Sequence, residues 1–190
     1  MGTPLATEVK LIDVRGMIFP PKPNDVGKIK HNATWAIVPG SVNAQKLEAA
    51  MITAAREKWK GKADDIVKQL IETRRVGFGK FEKRTVEGVI YSGFEKMWFV
   101  NTSADKQPKL KDRGAKTITP ADGIIYSGCY CNVHVNAWAQ DNKHGKRLNF
   151  GLMGIQFVRD GDAFTGGRVS SDDDFEDLGV VNDDNLSDFA

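Results

Sequence analysis

Cysteine is nearly absent from this chain. Cys129 and Cys131 are the only two and stand one residue apart, a spacing that suits neither a disulfide framework nor a paired CxxC zinc site. Reduced thiols are expected. Histidine is scarce too, with His31, His134 and His144 alone, and none lies in a recognisable nucleophile motif. The one stretch that touches a phosphate-loop pattern, GFGK at 77–80, lacks the GxxxxGK[ST] spacing and runs into Phe81, so it gives nucleotide hydrolysis no support. No apolar run approaches the ~20 residues needed to cross a bilayer. MGTPLATEVK has neither the basic end nor the apolar stretch of a signal peptide. The expectation is a soluble, intracellular protein with no membrane partner. No repeat of 20–50 residues is visible, which excludes solenoids and propellers.

Negative charge without any positive charge is dense at the end of the chain. The chain closes with SSDDDFEDLGVVNDDNLSDFA, which holds Asp172, Asp173, Asp174, Glu176, Asp177, Asp183, Asp184 and Asp188 and no Lys or Arg. The whole chain carries 27 Lys and Arg against 25 Asp and Glu; with those eight acids set aside, residues 1–170 hold 27 cations against 17 anions, a net +10. The near-neutral total conceals a basic body and an acidic end. A body of that charge attracts polyanions, nucleic acid first among them. The dense carboxylates sit where no rigid geometry holds two metal ions ~4 Å apart, which argues against a two-metal nuclease. A binding protein is expected, not an enzyme, with no cofactor and no metal.

About 170 residues suit one domain with a real core. Residues 1–170 are expected to form it, with 171–190 a disordered acidic tail. VKLIDVRGMIF (9–19) reads as a strand and PPKPNDVG as a turn. KIKHNATWAIV (28–38) alternates Ile29, His31, Ala33, Trp35 and Ile37 against a face that begins with Lys28 and Lys30, a half-buried strand. Pro39-Gly40 ends it, and Ser41 or Asn43 can cap a helix through AQKLEAAMITAAREKWK. ADDIVKQLIETRR predicts a second helix, with Asp64 and Asp65 at its positive end, Arg74 and Arg75 at its negative end, and Gly77 as its stop. The helical insertion thus covers about 42–75. Short alternating runs follow: TVEGVIYSG, KMWFVNTSA, GCYCNVHVNAWAQ and RLNFGLMGIQFV, with one long loop at 105–123. The fold class is mainly β with helical additions (α+β), compatible with a small elaborated barrel.

The most informative of these runs is GCYCNVHVNAWAQ. With a period of two, Cys129, Cys131, Val133, Val135, Ala137 and Ala139 share one face, and Tyr130, Asn132, His134, Asn136, Trp138 and Gln140 the other. The first row is small and apolar, as a barrel interior requires. The second alternates aromatic rings with amides. Two readings of it stay open: a platform on which unpaired bases stack, or a face covered by the helix from Ala44 to Lys60, with Tyr130 and Trp138 as core. Both cysteines fall inside and His134 outside, so these residues cannot converge on a tetrahedral zinc.

Cations and rings also interleave in RRVGFGKFEKR (74–84), where Arg74, Arg75, Lys80, Lys83 and Arg84 surround Phe78 and Phe81. The cations would neutralise phosphates and the rings offer faces to any base, giving sequence-tolerant binding to single strands; a solvated turn anchored by its two Phe is the alternative. DKQPKLKDRGAK (105–116) adds a basic loop with Lys106, Lys109, Lys111, Arg113 and Lys116. With the turn DNKHGKR, these segments could rim a groove.

The motifs MWFVNTSADKQPKLKDRG, IIYSGCYCNVHVNAWA and GLMGIQFVRDG, and an N-terminal strand pair followed by a helical segment ending in KW, resemble the phage-encoded single-stranded DNA-binding proteins of OB-fold type. The resemblance implies a five-stranded OB-fold-like barrel with helical additions. It also implies binding of single-stranded DNA in phage replication or recombination, no catalysis, and action in the cytoplasm of the infected bacterial host. By position it points to Trp98 and Phe99, and to Tyr126, Tyr130 and Trp138. Trp98 shares a face with Lys96 and is favoured over Phe99 for stacking. The expected DNA-binding set is Trp98, Tyr130, His134, Trp138, Phe78, Phe81, Lys80, Lys83, Arg84, Lys96, Lys109, Lys111 and Arg113.

The same resemblance implies a mobile acidic C-terminus. Tethered to a cationic groove, it would compete with weak ligands and leave when a strand binds. Asp183, Asp184, Asp188 and Phe189 resemble the acidic tip by which single-strand-binding proteins recruit replication or recombination partners. The tip here lacks Pro and ends in Ala190, which departs from the bacterial form. The runner-up reading is a β-barrel protein-interaction or virion-associated module, and RNA is a further alternative ligand.

Overall fold

The computed structural model describes residues 6–164. The acidic segment 171–190, with Asp183, Asp184, Asp188 and Phe189, lies outside the described residues. Five long strands form the body: β1 (Glu8–Ile18), β3 (Ile29–Ile37), β5 (Trp98–Ala104), β7 (Tyr130–Asn142) and β8 (Gly145–Arg159). Three short ones accompany them, β2 (Lys22–Pro23), β4 (Phe78–Gly79) and β6 (Lys109–Lys111), with helices α1 (Val42–Trp59) and α2 (Ala63–Glu72). β1 pairs antiparallel with β3 and β7, β7 with β8, and β3 with β5; β5 then meets β8 in parallel at Ser103 and Gly151. The ladder therefore returns on itself as a five-stranded, OB-like barrel.

The closing seam between β5 and β8 is short because another segment wedges into it. The Gly77 N–H donates to the Leu148 carbonyl at 2.8 Å, and the Asn101 N–H donates to the Gly77 carbonyl at 2.8 Å. A Cβ on Gly77 would stand 3.0 Å from the Phe150 ring and 3.3 Å from the Asn101 carbonyl, so a side chain there would press both neighbours back by a few tenths of an ångström. Gly16 has a similar role opposite Trp35, where a Cβ would collide with the indole.

Period-two alternation fills the interior. Trp35 and Ile37 from β3, Val100 from β5, Cys131, Val133 and Val135 from β7 and Leu148 and Phe150 from β8 are all buried. The buried indole of Trp35 donates to Thr102 Oγ1 at 3.1 Å, and that hydroxyl donates to the Ala33 carbonyl, so no polar group is stranded there. Helix α1 starts at Ser41, whose side chain accepts from the Ala44 N–H. It lays Ala44, Leu47, Ala50, Met51, Ala54, Ala55 and Trp59 into the barrel core, a helical-period stripe whose alanines permit close approach. Trp59 Nε1 donates to Asp141 Oδ2 at 2.9 Å, tying the helix end to β7.

Three expectations are corrected. The second helix ends at Glu72, not at Gly77, because Arg74 takes a left-handed conformation (φ 55°). TVEGVIYSG is not a strand: it has a single bridge, Arg84 to Ile90, with Gly88 at φ 88°. It belongs to a segment that lays Phe94 on the outside of the barrel against Met17, Ala36 and Phe99, a second small core. The loop at 105–123 is not structureless, since β6 pairs in parallel with β8 where β5 has left that edge unpaired, and residues 120–122 form a short helical turn.

If α1 is the plug of the barrel, truncating its buried face must unfold the protein more readily than trimming its outer face. Leu47→Ala, at a fully buried position, is expected to cost about 2–5 kcal/mol. Val42→Ala, at a 65 % exposed one, should stay within about 0.5 kcal/mol. Urea denaturation measures both, and equal costs would show that α1 is not the plug.

Candidate nucleic-acid interface

The plug overturns one reading of β7, the one in which α1 covers the ring face. Because α1 packs on the small apolar row, the ring-and-amide row faces outward; among the described residues no helix covers it, and Glu57 and Lys58 of α1 only flank it beside Asn136 and Trp138. Trp138 is 45 % exposed and Tyr130, Asn132, His134 and Asn136 are half-buried. Neighbouring strands complete this face through register. Lys10 of β1 stands opposite His134 and Glu8 opposite Asn136. On the other side, Gly154 faces His134 and Gly151 faces Asn136. Two glycines in the outer row of β8 leave the floor without side chains, which allows a backbone to approach closely.

Two depressions run along this floor. Lys10, Ile12, His134, Met153, Lys109 and Lys111 line one; Lys30, Lys106, Lys109, Trp138 and Met153 line the next. Lys109 and Met153 belong to both, so the two form one cationic track with an exposed indole in it. Along the outer row of β5, Ser103 lines the second depression and Asn101 a third, together with Arg74, Phe81, Phe99 and Arg147. Phe81 is 41 % exposed, edge-on to Phe99 and under the Arg74 guanidinium at 4.5 Å. Lys83 Nζ sits 4.7 Å from the Phe99 ring and donates to Asn101 Oδ1; burial there draws its pKa below the ordinary lysine value.

Acids stand here too: Glu8 Oε2 lies 3.6 Å from His134 Nε2, Glu72 lines the third depression and Asp105 the second. The carboxylate of Asp105 accepts from both Lys28 and Lys30, and those bonds hold its pKa down at about 2. Stability from a depressed carboxyl is present above its unfolded pKa and is lost as pH falls through the folded value. The clamp therefore stays charged at neutral pH and opens only in strong acid.

Other residues expected at the interface are held by neighbours in the structure, although Phe78 and Lys80 line the third depression. Phe78 is 3 % exposed and meets Trp98 edge-on at 6.0 Å. Trp98 is half-buried against the main core, beneath Lys80 Nζ at 5.5 Å, and Lys80 is held by Glu48 of α1. The face shared with Val100 is thus the inner one, and the outer residue Phe99 lies under the segment carrying Phe94. The Tyr130 ring is capped by the Arg159 guanidinium at 3.7 Å, with Arg15 at 5.3 Å. Tyr126 pins the end of β8 by donating to Asp160 Oδ1 at 2.8 Å. Arg84 bonds the Gly88 carbonyl and Glu82 within its own turn, and Lys96, at φ 57°, donates its N–H to Glu82. Arg113 donates to the Val158 carbonyl. None of Trp98, Tyr130, Arg84, Lys96 and Arg113 lines the three depressions.

The amides of β7 also do structural work. Asn132 Oδ1 accepts from the Asp13 N–H, where β1 bulges and Asp13 turns left-handed (φ 56°), and Asn136 Oδ1 accepts from Thr7. The two thiols lie inside the barrel with their sulfurs 3.4 Å apart. Their contact favours ionisation at Cys129 and opposes it at Cys131. Among the described residues no three His, Cys, Asp or Glu side chains gather as metal ligands, and no helix is long and apolar enough to cross a membrane.

Lys10, Ile12 and Met153 had no local signal that set them apart, whereas Lys30 lies on the basic face of its strand and Arg147 in the turn DNKHGKR. The register of β1 against β7 and of β7 against β8 brings the first three to the track.

Known proteins share this architecture. The single-stranded DNA-binding protein of bacteriophage Enc34, solved in complex with ssDNA, superposes with a TM-score of 0.67 at 18 % identity, over 84 % of this chain and 90 % of that one. The gp2.5 single-stranded DNA-binding protein of bacteriophage T7 superposes with a TM-score of 0.55 at 12 % identity, over 92 % and 98 % of the two chains. A putative protein, p50, of Acyrthosiphon pisum secondary endosymbiont phage 1 is 32 % identical over 185 residues, covering 94 % of this chain and 98 % of that protein. The family described as the Enterobacter phage Enc34 ssDNA-binding protein matches residues 7–187, and the chain belongs to that family.

Proposed function

We propose that this chain binds single-stranded DNA along the outer face of β7 and β8, without dependence on sequence, and serves phage DNA replication or recombination in the cytoplasm of the infected bacterium. The observation that carries this reading is the uncovered Trp138 in a track lined by Lys10, Lys30, Lys106, Lys109 and Lys111. An exposed ring stacks on any unpaired base, and lysines beside it neutralise phosphates by releasing counterions. A duplex keeps its base faces stacked inside and gains only the second of these. Phe81 with Arg74 extends the track past β5, and Lys80 and Lys83 border it. Family membership and the fold shared with two phage single-stranded DNA-binding proteins support the same reading. Binding of this kind needs no catalysis, metal or cofactor.

The acidic end completes the proposal. Eight carboxylates tethered to a body of net charge +10 compete for the track at high effective concentration. Displaced by a strand, the tip with Asp183, Asp184, Asp188 and Phe189 becomes available to replication or recombination proteins.

Fluorescence titration with oligo(dT) and a matched duplex separates the contributions. Trp138→Ala is expected to weaken oligo(dT) binding by roughly 1–3 kcal/mol with little change in salt dependence. Lys109→Ala should instead flatten the plot of log affinity against log salt by about 0.7 for its lost phosphate contact. Salt-insensitive binding, or equal affinity for duplex and single strand, would contradict the track. A chain ending at Ser170 should bind oligo(dT) more tightly than the full chain, most clearly at low salt; unchanged affinity would remove the competing role of the tail.

A further inference from the structure

Beside the track, at an end of the barrel that α1 does not line, the barrel opens into a recess of about 250 Å3. It is smaller than the ~300–1,000 Å3 of ordinary ligand pockets, the scale of one ring system. Its walls are mostly apolar, from Phe19 and Pro20 after β1 and from Pro108 and Leu152. Two polar side chains border it, His31 and Gln107, while Asn32 alternates to the other face of β3, opposite Ser103. Among the described residues, His31 makes no side-chain hydrogen bond, and the Gln107 amide reaches only the adjacent Pro108 carbonyl, at 3.3 Å. An imidazole and an amide offer donors and acceptors together, which suits the edge of a heterocycle and not a hydrocarbon or a simple ion.

The recess is continuous with the track. Gln107, Pro108 and Leu152 line both it and the depression that contains Trp138 and Lys109. Near it, Asp105 pairs with Lys28 and Lys30, which joins the start of the 105–123 segment to the start of β3.

Taking the proposed track as its premise, we infer that this recess receives one unstacked nucleobase of the bound strand, with His31 and Gln107 reading its edge. A strand that stacks on Trp138 passes the mouth of the recess and can turn one base into it. Single-stranded bases are recognised in this way elsewhere, splayed out and hydrogen-bonded on their edges. The result is a modest base preference laid over an interface that otherwise tolerates any sequence.

The test compares oligo(dT), oligo(dC) and oligo(dA) of equal length against the full chain, each over a salt series. The unaltered protein is expected to spread the three affinities by about tenfold, the factor that 1.4 kcal/mol represents. The double variant His31→Ala/Gln107→Ala should bring them within about twofold of the spread that strand self-stacking alone produces, with salt slopes unchanged. If that variant does not fold, Gln107→Ala alone, at an exposed position, is read the same way. Equal affinities in the unaltered protein would overturn the inference, as would a spread that survives the variants. A fall in salt slope would also overturn it, by making these residues phosphate contacts. Failure of the unaltered protein to bind any of the three oligonucleotides is a separate outcome, which removes the track itself.

Discussion

Closure of the barrel around the small inner row of β7 is the constraint on which the rest of the molecule depends. Cys131, Val133, Val135 and Ala137 fit inside because they are small, and strand geometry then forces their neighbours outward. The helix that could have covered those neighbours is committed to the barrel core, where Leu47, Met51 and Trp59 are buried. Among the described residues, an aromatic and polar strand face is thereby left with no helix over it and with Trp138 exposed. Two glycines on the adjacent strand keep its floor low.

Charge reaches this face from segments far apart in the chain. Lys10 comes from β1, Lys30 from β3, and Lys106, Lys109 and Lys111 from the β5–β6 region, each delivered by a different pairing. Where cations are not needed, they are tied to backbone or ring partners: Arg113 to a carbonyl, Arg159 to Tyr130 and Asp13, Arg84 to its own turn. Surface ion pairs of this sort contribute little to stability; their effect is to remove those guanidiniums from the set available to a polyanion.

The β7 alternation was legible in the sequence because it is local and periodic, and so were α1 with its Ser41 cap and the barrel class. What could not be read was which face each helix would cover and which strands would become neighbours. Trp98 and Phe78 look like a basic-aromatic platform in one dimension, yet the wedge at Gly77 turns them toward the core. Tyr130 shares its row with Trp138, but Arg159, 29 positions later in the chain, caps its ring. Lys10 sits in an ordinary alternating strand and gains its place only from its register with His134. Lys96 and Arg84 lie apart from the depressions for a related reason: basic residues near an aromatic strand need not share its surface when a turn folds them back on Glu82.

The most direct test of the central claim is to map where a bound strand lies. Oligo(dT) carrying a single 5-bromodeoxyuridine, bound to the full chain and irradiated, would mark the residues in contact with a base, to be located by mass spectrometry. The account predicts adducts on the outer face of β7 and β8, with Trp138 foremost and Met153 and His134 beside it. Adducts confined to α1, α2 or the segment around Phe94, with none on β7 or β8, would contradict it.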